Sequence, residues 1–396
     1  MFNFVVDCIV KGCASPGLAQ HSAEPYTQQW REFGGHSPYT VPVELINHCG
    51  THAYPYRLIP AADIELEAAA DLWYPVQFGW FDYAIDYIGL LSKSIKQAVV
   101  RGHVRILFYY HEGDDPAKIK ARLDLLCKQN SLDIDCYRFV SANTAADSIN
   151  GCVYFSDHEL LYWHRNQNSR KLLFTGVPMR SNFLIMNRTH KAWRSAVMAD
   201  LARTGVLDQA LYSYNCDLSE GLGLDDCAIQ ADTLGLLPSI DTFLAGAPYR
   251  CDDLDSDQHN DHSLTSDLYD RTWCSIILET HFDADGSHGA FLTEKTFKCI
   301  KHGHPFVIVG CAGSLSALRA AGYRTFDSVI DPAYDTVQDN TLRWLAVRAT
   351  ILDLNQQDMS RVYAACAADI EHNRQHFLAS KSDRLNSLYE RLHNGK

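Results

Sequence analysis

Thr293, Glu294 and Lys295 stand side by side in FLTEKTFKCIKHGHPFVIVG, Phe291 to Gly310. Threonine is a good helix N-cap and Gly303 a good C-terminal stop. The spacing predicts a helix over about 294–302, with Phe297 and Ile300 turned inward. PFVIVG, apolar, β-branched and closed by glycine, predicts a buried strand of a parallel sheet. A helix N-terminus offers free N–H groups and a partial positive charge, which suits a diphosphate. Lys295 adds a full positive charge. Glu294 would repel a phosphate, but it can accept from neutral hydroxyls such as those of a ribose. The pair fits a ligand carrying a diphosphate with a diol beside it. The plainer reading is local: the acid stabilises the first turn and the lysine faces solvent.

A second basic set lies in FLIMNRTHKAWR, Phe183 to Arg194. Asn187 and Arg188 end a predicted strand, and Arg194 falls in the next helix. Arginine at a strand end can fork onto diphosphate oxygens. Asn187 can orient the loop or touch the ligand, with His190 and Lys191 as lesser candidates. The alternative is that the two arginines pair with surface acids.

These residues need a scaffold. The chain has 396 residues, 46% hydrophobic and 21% charged, enough for two domains with their own cores. No apolar run approaches the roughly 20 residues of a membrane span. MFNFVVDCIVKGCASPG has no basic leader and carries Asp7 inside its apolar run, so it predicts a first strand, not a signal peptide. The thirteen cysteines are scattered, with no CxxC pair and no zinc spacing. Free thiols point to a reducing, cytoplasmic setting. Net charge is −13, and residues 217 to 285 hold sixteen Asp and Glu against two Arg, leaving the rest near neutral. That balance excludes a protein that coats nucleic acid throughout, though not a local anionic ligand. CDDLDSDQHNDHS, Cys251 to Ser263, predicts a solvated loop, since the glycine and terminal glutamate of an EF-hand are missing.

Predicted strands at 104–109 and 136–140 enclose a helix over about 117–130, a βαβ unit. A second series runs through strands at 183–187, 210–215, 275–279 and 305–310, with a helix over about 191–204 and a further strand at 323–327. From about Asp353 the pattern is helical, with Met359, Val362, Tyr363, Cys366 and Ile370 on one face. The expectation is an α/β chain of two Rossmann-like domains, residues 1–175 and 176–396, with the boundary within 165–181. Ligands of such folds bind at the carboxyl ends of strands, here in the cleft between domains.

The opening motif resembles the donor-binding motif of the family 10 glycosyltransferases, the α1,3-fucosyltransferase type. Phe291, Thr293, Glu294, Lys295, Gly303, Pro305 and Gly310 match in order. SIILET resembles the acid-ended strand before that motif, which implies a place for Glu279 at the same site. GSLSALRAAGYRTFDSVID resembles the C-terminal part of related bacterial and phage transferases, so the likeness covers roughly residues 275 to 335. It implies a GT-B architecture and a nucleotide-diphosphate sugar as co-substrate held by the C-terminal domain. It also implies transfer to a hydroxyl acceptor without metal or other cofactor. The usual asparagine soon after the Glu-Lys pair is absent here, where the chain reads TFKCIK.

Inverting transfer needs a base for the acceptor hydroxyl. YYHEGDDP, Tyr109 to Pro116, follows a buried strand and precedes a helix. Glu112 is the first candidate, because it resembles the family's placement of the acid base; Asp114 and His111 are the others. Asp115 before Pro116 suits a helix cap. Asp157 and Glu159 form a runner-up set. HFDADG contains the DxD of metal-dependent transferases, Asp283 and Asp285, and is read as loop. For the acceptor, DLWYPVQFGWFDY offers Trp80 and Tyr74 as a stacking platform, or else as core. Such a platform suits a glycan or a hydroxymethylated base in DNA, which must be flipped out of the duplex. A non-catalytic nucleotide-binding protein on a transferase fold is the reading from another class.

Overall fold

The computed structural model describes residues 1–6, 43–67, 71–78, 81–160, 181–187, 190–215, 227–251, 266–282, 289–379 and 381–394. The chain divides into two compact units, Met1–His164 with Ser380–Lys396, and Arg165–Ala379.

The first unit is built from β1 (Phe2–Val6), α1 (Val43–Thr51), β2 (Tyr56–Pro60), β3 (Leu72–Phe78), α2 (Lys93–Val100), β4 (Val104–Tyr110), α3 (Pro116–Gln129), β5 (Tyr137–Ser141) and β6 (Cys152–Tyr154). Its six described strands are all parallel, in the order β2-β1-β3-β4-β5-β6. Successive side chains of a strand face opposite sides, and the core divides accordingly. Tyr74, Phe78, Ile106, Phe108 and Tyr110 pack on one face with Ile95 of α2 and Ile119 and Leu123 of α3. Trp73, Leu107 and Tyr109 pack on the other with Leu45 of α1. Asp115 caps α3, accepting from Ala117 N at 2.9 Å ahead of Pro116.

The second unit contains β7 (Ser181–Asn187), α4 (Ala192–Arg203), β8 (Ala210–Tyr214), α5 (Leu237–Ala245), α6 (Ser266–Asp270), β9 (Thr272–Leu278), α7 (Glu294–Lys301), β10 (Phe306–Val309), α8 (Ser314–Ala320), α9 (Asn340–Asn355), α10 (Met359–Ala365) and α11 (Ala367–Leu378). Its four described strands are also all parallel, in the order β10-β9-β7-β8. Both sheets thus share one winding, in which the chain reverses direction across the sheet after its second strand. In the second unit the reversal lies between β7 and β9, and it is at such a switch point that α/β sheets bind ligands. The fold class is α/β, as the alternating pattern predicts.

Two sequence expectations are corrected. Residues 323–327 do not form a strand. Asn373 of α11 takes both backbone groups of Arg324, accepting from its N–H and donating to its C=O, each at 2.8 Å. Phe326 sits at φ 64°, a turn conformation no strand contains. Second, the last helix, α12 (Ser382–Asn394), belongs to the first unit and not to the domain preceding it in sequence. Leu385, Leu388 and Leu392 bury one stripe against Trp73 and its neighbours, each contributing about 1.5–3 kcal/mol. Buried Lys381 meets Glu159 at 2.7 Å, and Arg384 pairs with the same carboxylate.

Candidate functional site

At the switch point of the second unit, α7 begins as its sequence requires. Thr293 accepts from Lys295 N at 3.4 Å as N-cap. At the far end, Gly303 takes φ +65°, with Gly303 N bonded to Ile300 O and His304 N to Cys299 O, a Schellman stop. Glu279, fully buried at the end of β9, ties this start to the sheet. Its carboxylate accepts from Thr293 N (3.2 Å), Thr293 Oγ1 (2.7 Å), Thr296 Oγ1 (2.6 Å) and Thr280 N (3.2 Å). Gly310 at the end of β10 passes so close that a Cβ there would lie 3.3 Å from that of Glu279.

Lys295 reaches Thr280 Oγ1 (3.0 Å), Thr293 Oγ1 (3.1 Å) and Glu294 Oε1 (3.0 Å). The Lys295 and Glu294 side chains stay 27% and 20% exposed, so both can meet a ligand. Lys191 donates to Thr280 O at 2.7 Å, so two lysines flank one short turn. Arg194 differs: it is buried, and its guanidinium donates to the carbonyls of Glu279 (2.6 Å) and Leu278 (3.3 Å). Burial pushes it down to about 10, against the raising charge of Glu279. Arg194 and Glu279 therefore support the site from within. Asn187 ends β7 at 2% exposure, and neither amide atom has a hydrogen-bond partner among the described residues. Arg188 lies outside the described residues.

In the first unit, HEGDDP follows β4 at the carboxyl end of the sheet. Glu112 is partly exposed and meets His111 Nε2 at 3.6 Å, an ion-pair contact and not a hydrogen bond. His111 Nδ1 faces Gln77 Nε2 at 3.4 Å, and His158 donates to the His111 carbonyl at 3.0 Å. Asp114 accepts from the Tyr110 hydroxyl. Burial, then the charge of Asp114, pushes that phenol well up, which keeps it a donor. Asp114 is thereby committed to the loop, and Glu112 is its carboxylate with no hydrogen bond among the described residues. Tyr74 is 5% exposed in the core, so its ring is no platform; Trp80 lies outside the described residues, as do Asp283 and Asp285. Glu159 is occupied by Lys381 and Arg384.

Asp157 is fully buried beside His48 Nε2 at 3.7 Å. Burial raises its pKa, but the contact with His48 and the charges of His111 and His158 outweigh that and hold it at about 2. A folded-state value below the unfolded value stabilises above about pH 4 and is lost as pH falls towards 2. Asp157→Asn is expected to melt lower than wild type at pH 6, with the gap closing by pH 2. A constant gap in thermal melts across that range would show that the aspartate charge contributes nothing.

Sequence reasoning named His190 and Asp157 singly but not the clusters they join. His190 Nδ1 lies 2.9 Å from Tyr214 Oη and 3.3 Å from Ser195 Oγ, and those two oxygens are 2.6 Å apart. His48 and Asp157 form the other. Both join residues distant in sequence, so no local spacing announces them. No group of metal-ligating side chains occurs among the described residues. No described helix is long and apolar enough to cross a membrane.

No family model and no curated protein matches this chain. Among solved structures it is similar to a UDP-forming α,α-trehalose-phosphate synthase of Burkholderia vietnamiensis, over 100% of both chains, at 10% identity and a TM-score of 0.43. The Burkholderia xenovorans enzyme is similar over 94% of this chain and 86% of its own, at 12% identity and 0.43. For that of Burkholderia multivorans the figures are 94% and 82%, 11% and 0.40. At this distance the functional reading rests on the chain's own side chains.

Proposed function

We propose that this chain is a metal-independent glycosyltransferase that moves a sugar from a nucleotide-diphosphate donor to a hydroxyl acceptor. The carrying observation is the start of α7, where Thr293, Glu294 and Lys295 stand beside the switch point of a parallel sheet, anchored by Glu279. The family 10 resemblance of the same residues supports the reading. The second unit takes the donor. The α7 amides and Lys295 neutralise the diphosphate, Glu294 accepts from the ribose hydroxyls, and Asn187 supplies a further polar contact. The first unit takes the acceptor, and Glu112 is the base. The acceptor oxygen attacks the anomeric carbon, and the bond from that carbon to the phosphate oxygen breaks. The nucleoside diphosphate leaves and the acceptor proton passes to the Glu112 carboxylate.

The test is calorimetry with nucleoside diphosphates and inorganic diphosphate. Lys295→Ala is expected to weaken both roughly 10–100-fold, the worth of a charge-assisted hydrogen bond. Glu294→Gln is expected to weaken only the nucleoside diphosphates, because its partner is the ribose. Unchanged affinities in both variants would make the helix start purely structural. Binding with no transfer to any glycan or hydroxymethylated DNA would favour the non-catalytic alternative.

A further inference from the structure

The acceptor half of the reading above still lacks a surface that could hold a sugar. β3 and β4 run side by side in register, with Phe78 opposite Tyr110. The segments that follow them therefore leave the first unit's sheet together, at its carboxyl end, where α/β folds bind ligands. One segment is the HEGDDP loop with Glu112. The other carries Phe81 and Tyr83. Tyr83 is 48% exposed, while Phe81 is partly buried and packed on the core.

A single exposed tyrosine is ordinary, but this one is built in. Its ring meets Phe81 edge to face, with centroids 5.0 Å apart. Phe81 meets Phe78 in the same way at 5.2 Å, and Phe78 meets Tyr110 at 6.4 Å. An unbroken run of rings thus leads from Tyr83 to the residue before His111 and Glu112. The charges agree with that path. Burial pushes the Tyr110 phenol up, and the nearby Asp114, Glu112 and Tyr83 push it further. The segment is also braced. Asp82 accepts from Ala84 N at 2.8 Å, and its own N–H donates to the Tyr87 hydroxyl at 2.9 Å. Asp86 accepts from Gly89 N at 2.7 Å and from the Asn130 amide, just after α3, at 3.0 Å. A ring held in place before contact loses little conformational entropy on binding.

The surrounding charge selects among ligands with a flat face. Residues 72–92 contain Asp82 and Asp86 and no lysine or arginine. Residues 111–116 contain Glu112, Asp114 and Asp115, again with no lysine or arginine. Lys96 of α2 is turned onto Gly89 O at 2.7 Å. A nucleic acid needs cations for its phosphates. A neutral sugar does not. Its C–H groups carry the slight positive charge that an aromatic face attracts, and its hydroxyls can donate to carboxylates.

We propose that Tyr83, seated on Phe81, stacks on the sugar ring of a neutral saccharide acceptor and so directs its attacking hydroxyl toward Glu112. This rests on the transferase reading and names its acceptor class. Tyr83 touches substrate, and Phe81 is a positioning residue.

The experiment uses the full chain, with calorimetry and saturation-transfer NMR. UDP, GDP and ADP probe the donor side. Lactose, maltose, cellobiose and single-stranded hydroxymethylated DNA probe the acceptor side. Tyr83→Ala is expected to weaken every disaccharide that wild type binds by roughly 5–100-fold, the worth of one stacked ring, and to leave nucleoside diphosphate affinity alone. Tyr83→Phe keeps the ring and should bind as wild type does. Phe81→Leu keeps apolar bulk but removes the edge contact, and should give a smaller loss than Tyr83→Ala. If wild type binds no nucleoside diphosphate, the transferase reading falls and this inference with it. If it binds them while Tyr83→Ala holds the disaccharides equally well, or while no disaccharide binds, this inference alone fails. Equal losses in Tyr83→Ala and Tyr83→Phe would assign the effect to the hydroxyl and overturn the stacking. DNA binding that is lost in Tyr83→Ala with the disaccharides unaffected would give the ring to a nucleobase instead.

Discussion

Glu112→Gln should lower sugar transfer by roughly 10²–10⁴-fold, the usual worth of a positioned general base, with donor affinity nearly unchanged. The amide keeps the size of the side chain and its place beside His111, but it cannot take the acceptor proton. Donor binding should survive because the residues proposed for it belong to the second unit. Asp114→Asn is the internal control. Its remaining carbonyl oxygen can still accept from Tyr110, so the loop keeps its anchor and the rate should fall far less. The assay is run with EDTA, since the proposed neutralising groups are the α7 amides and Lys295. Activity restored only by manganese would redirect attention to Asp283 and Asp285. Equal, large losses in both variants would mean that the loop's shape matters and the Glu112 proton transfer does not. Full activity in both would remove this loop from the chemistry. Asp157 would then be the remaining acid to test there, since Glu159 is committed to Lys381 and Arg384.

The parts legible in the sequence are those whose causes are local. A threonine cap, a glycine stop and an apolar run decide α7 and β10 within twenty consecutive residues, and the structure has both. Asp115 before Pro116 fixes the start of α3 in the same way. What failed depends on contacts far along the chain. Trp73 and Tyr74 are neighbours in sequence, yet they point to opposite faces of one sheet, and both faces are covered. The composition of that aromatic stretch cannot reveal that the covering on one side is α12, more than 300 residues later. Residues 323–327 read as a strand by hydropathy, but Asn373 competes for the backbone of Arg324. The family likeness implied a ligand-side place for Glu279. The structure gives it a different task from touching the ligand, because three threonines point donors at a carboxylate that solvent does not reach.

That task sets the second large effect. Glu279→Ala should destabilise the second unit by about 3–5 kcal/mol, the usual cost of removing a buried, hydrogen-bonded charge. It leaves the N–H groups of Thr280 and Thr293 and the hydroxyls of Thr293 and Thr296 without their acceptor. It also removes the negative charge nearest the buried Arg194 guanidinium. Because the two units need not unfold together, a single melting temperature is a poor gauge. Hydrogen exchange read by mass spectrometry separates them: amides of β9 and α7 should exchange faster, while those of β4 and β5 keep wild-type protection. Glu279→Gln should fall between, since one oxygen still accepts while its new NH2 group faces threonine donors. Nucleoside diphosphates should bind Glu279→Ala weakly, and for an indirect reason, because the α7 amides and Lys295 no longer hold their positions. The competing account has Glu279 contacting the donor itself. It requires weak binding with exchange of β9 and α7 unchanged, and that pattern would return Glu279 to the ligand and leave the clamp without energetic weight.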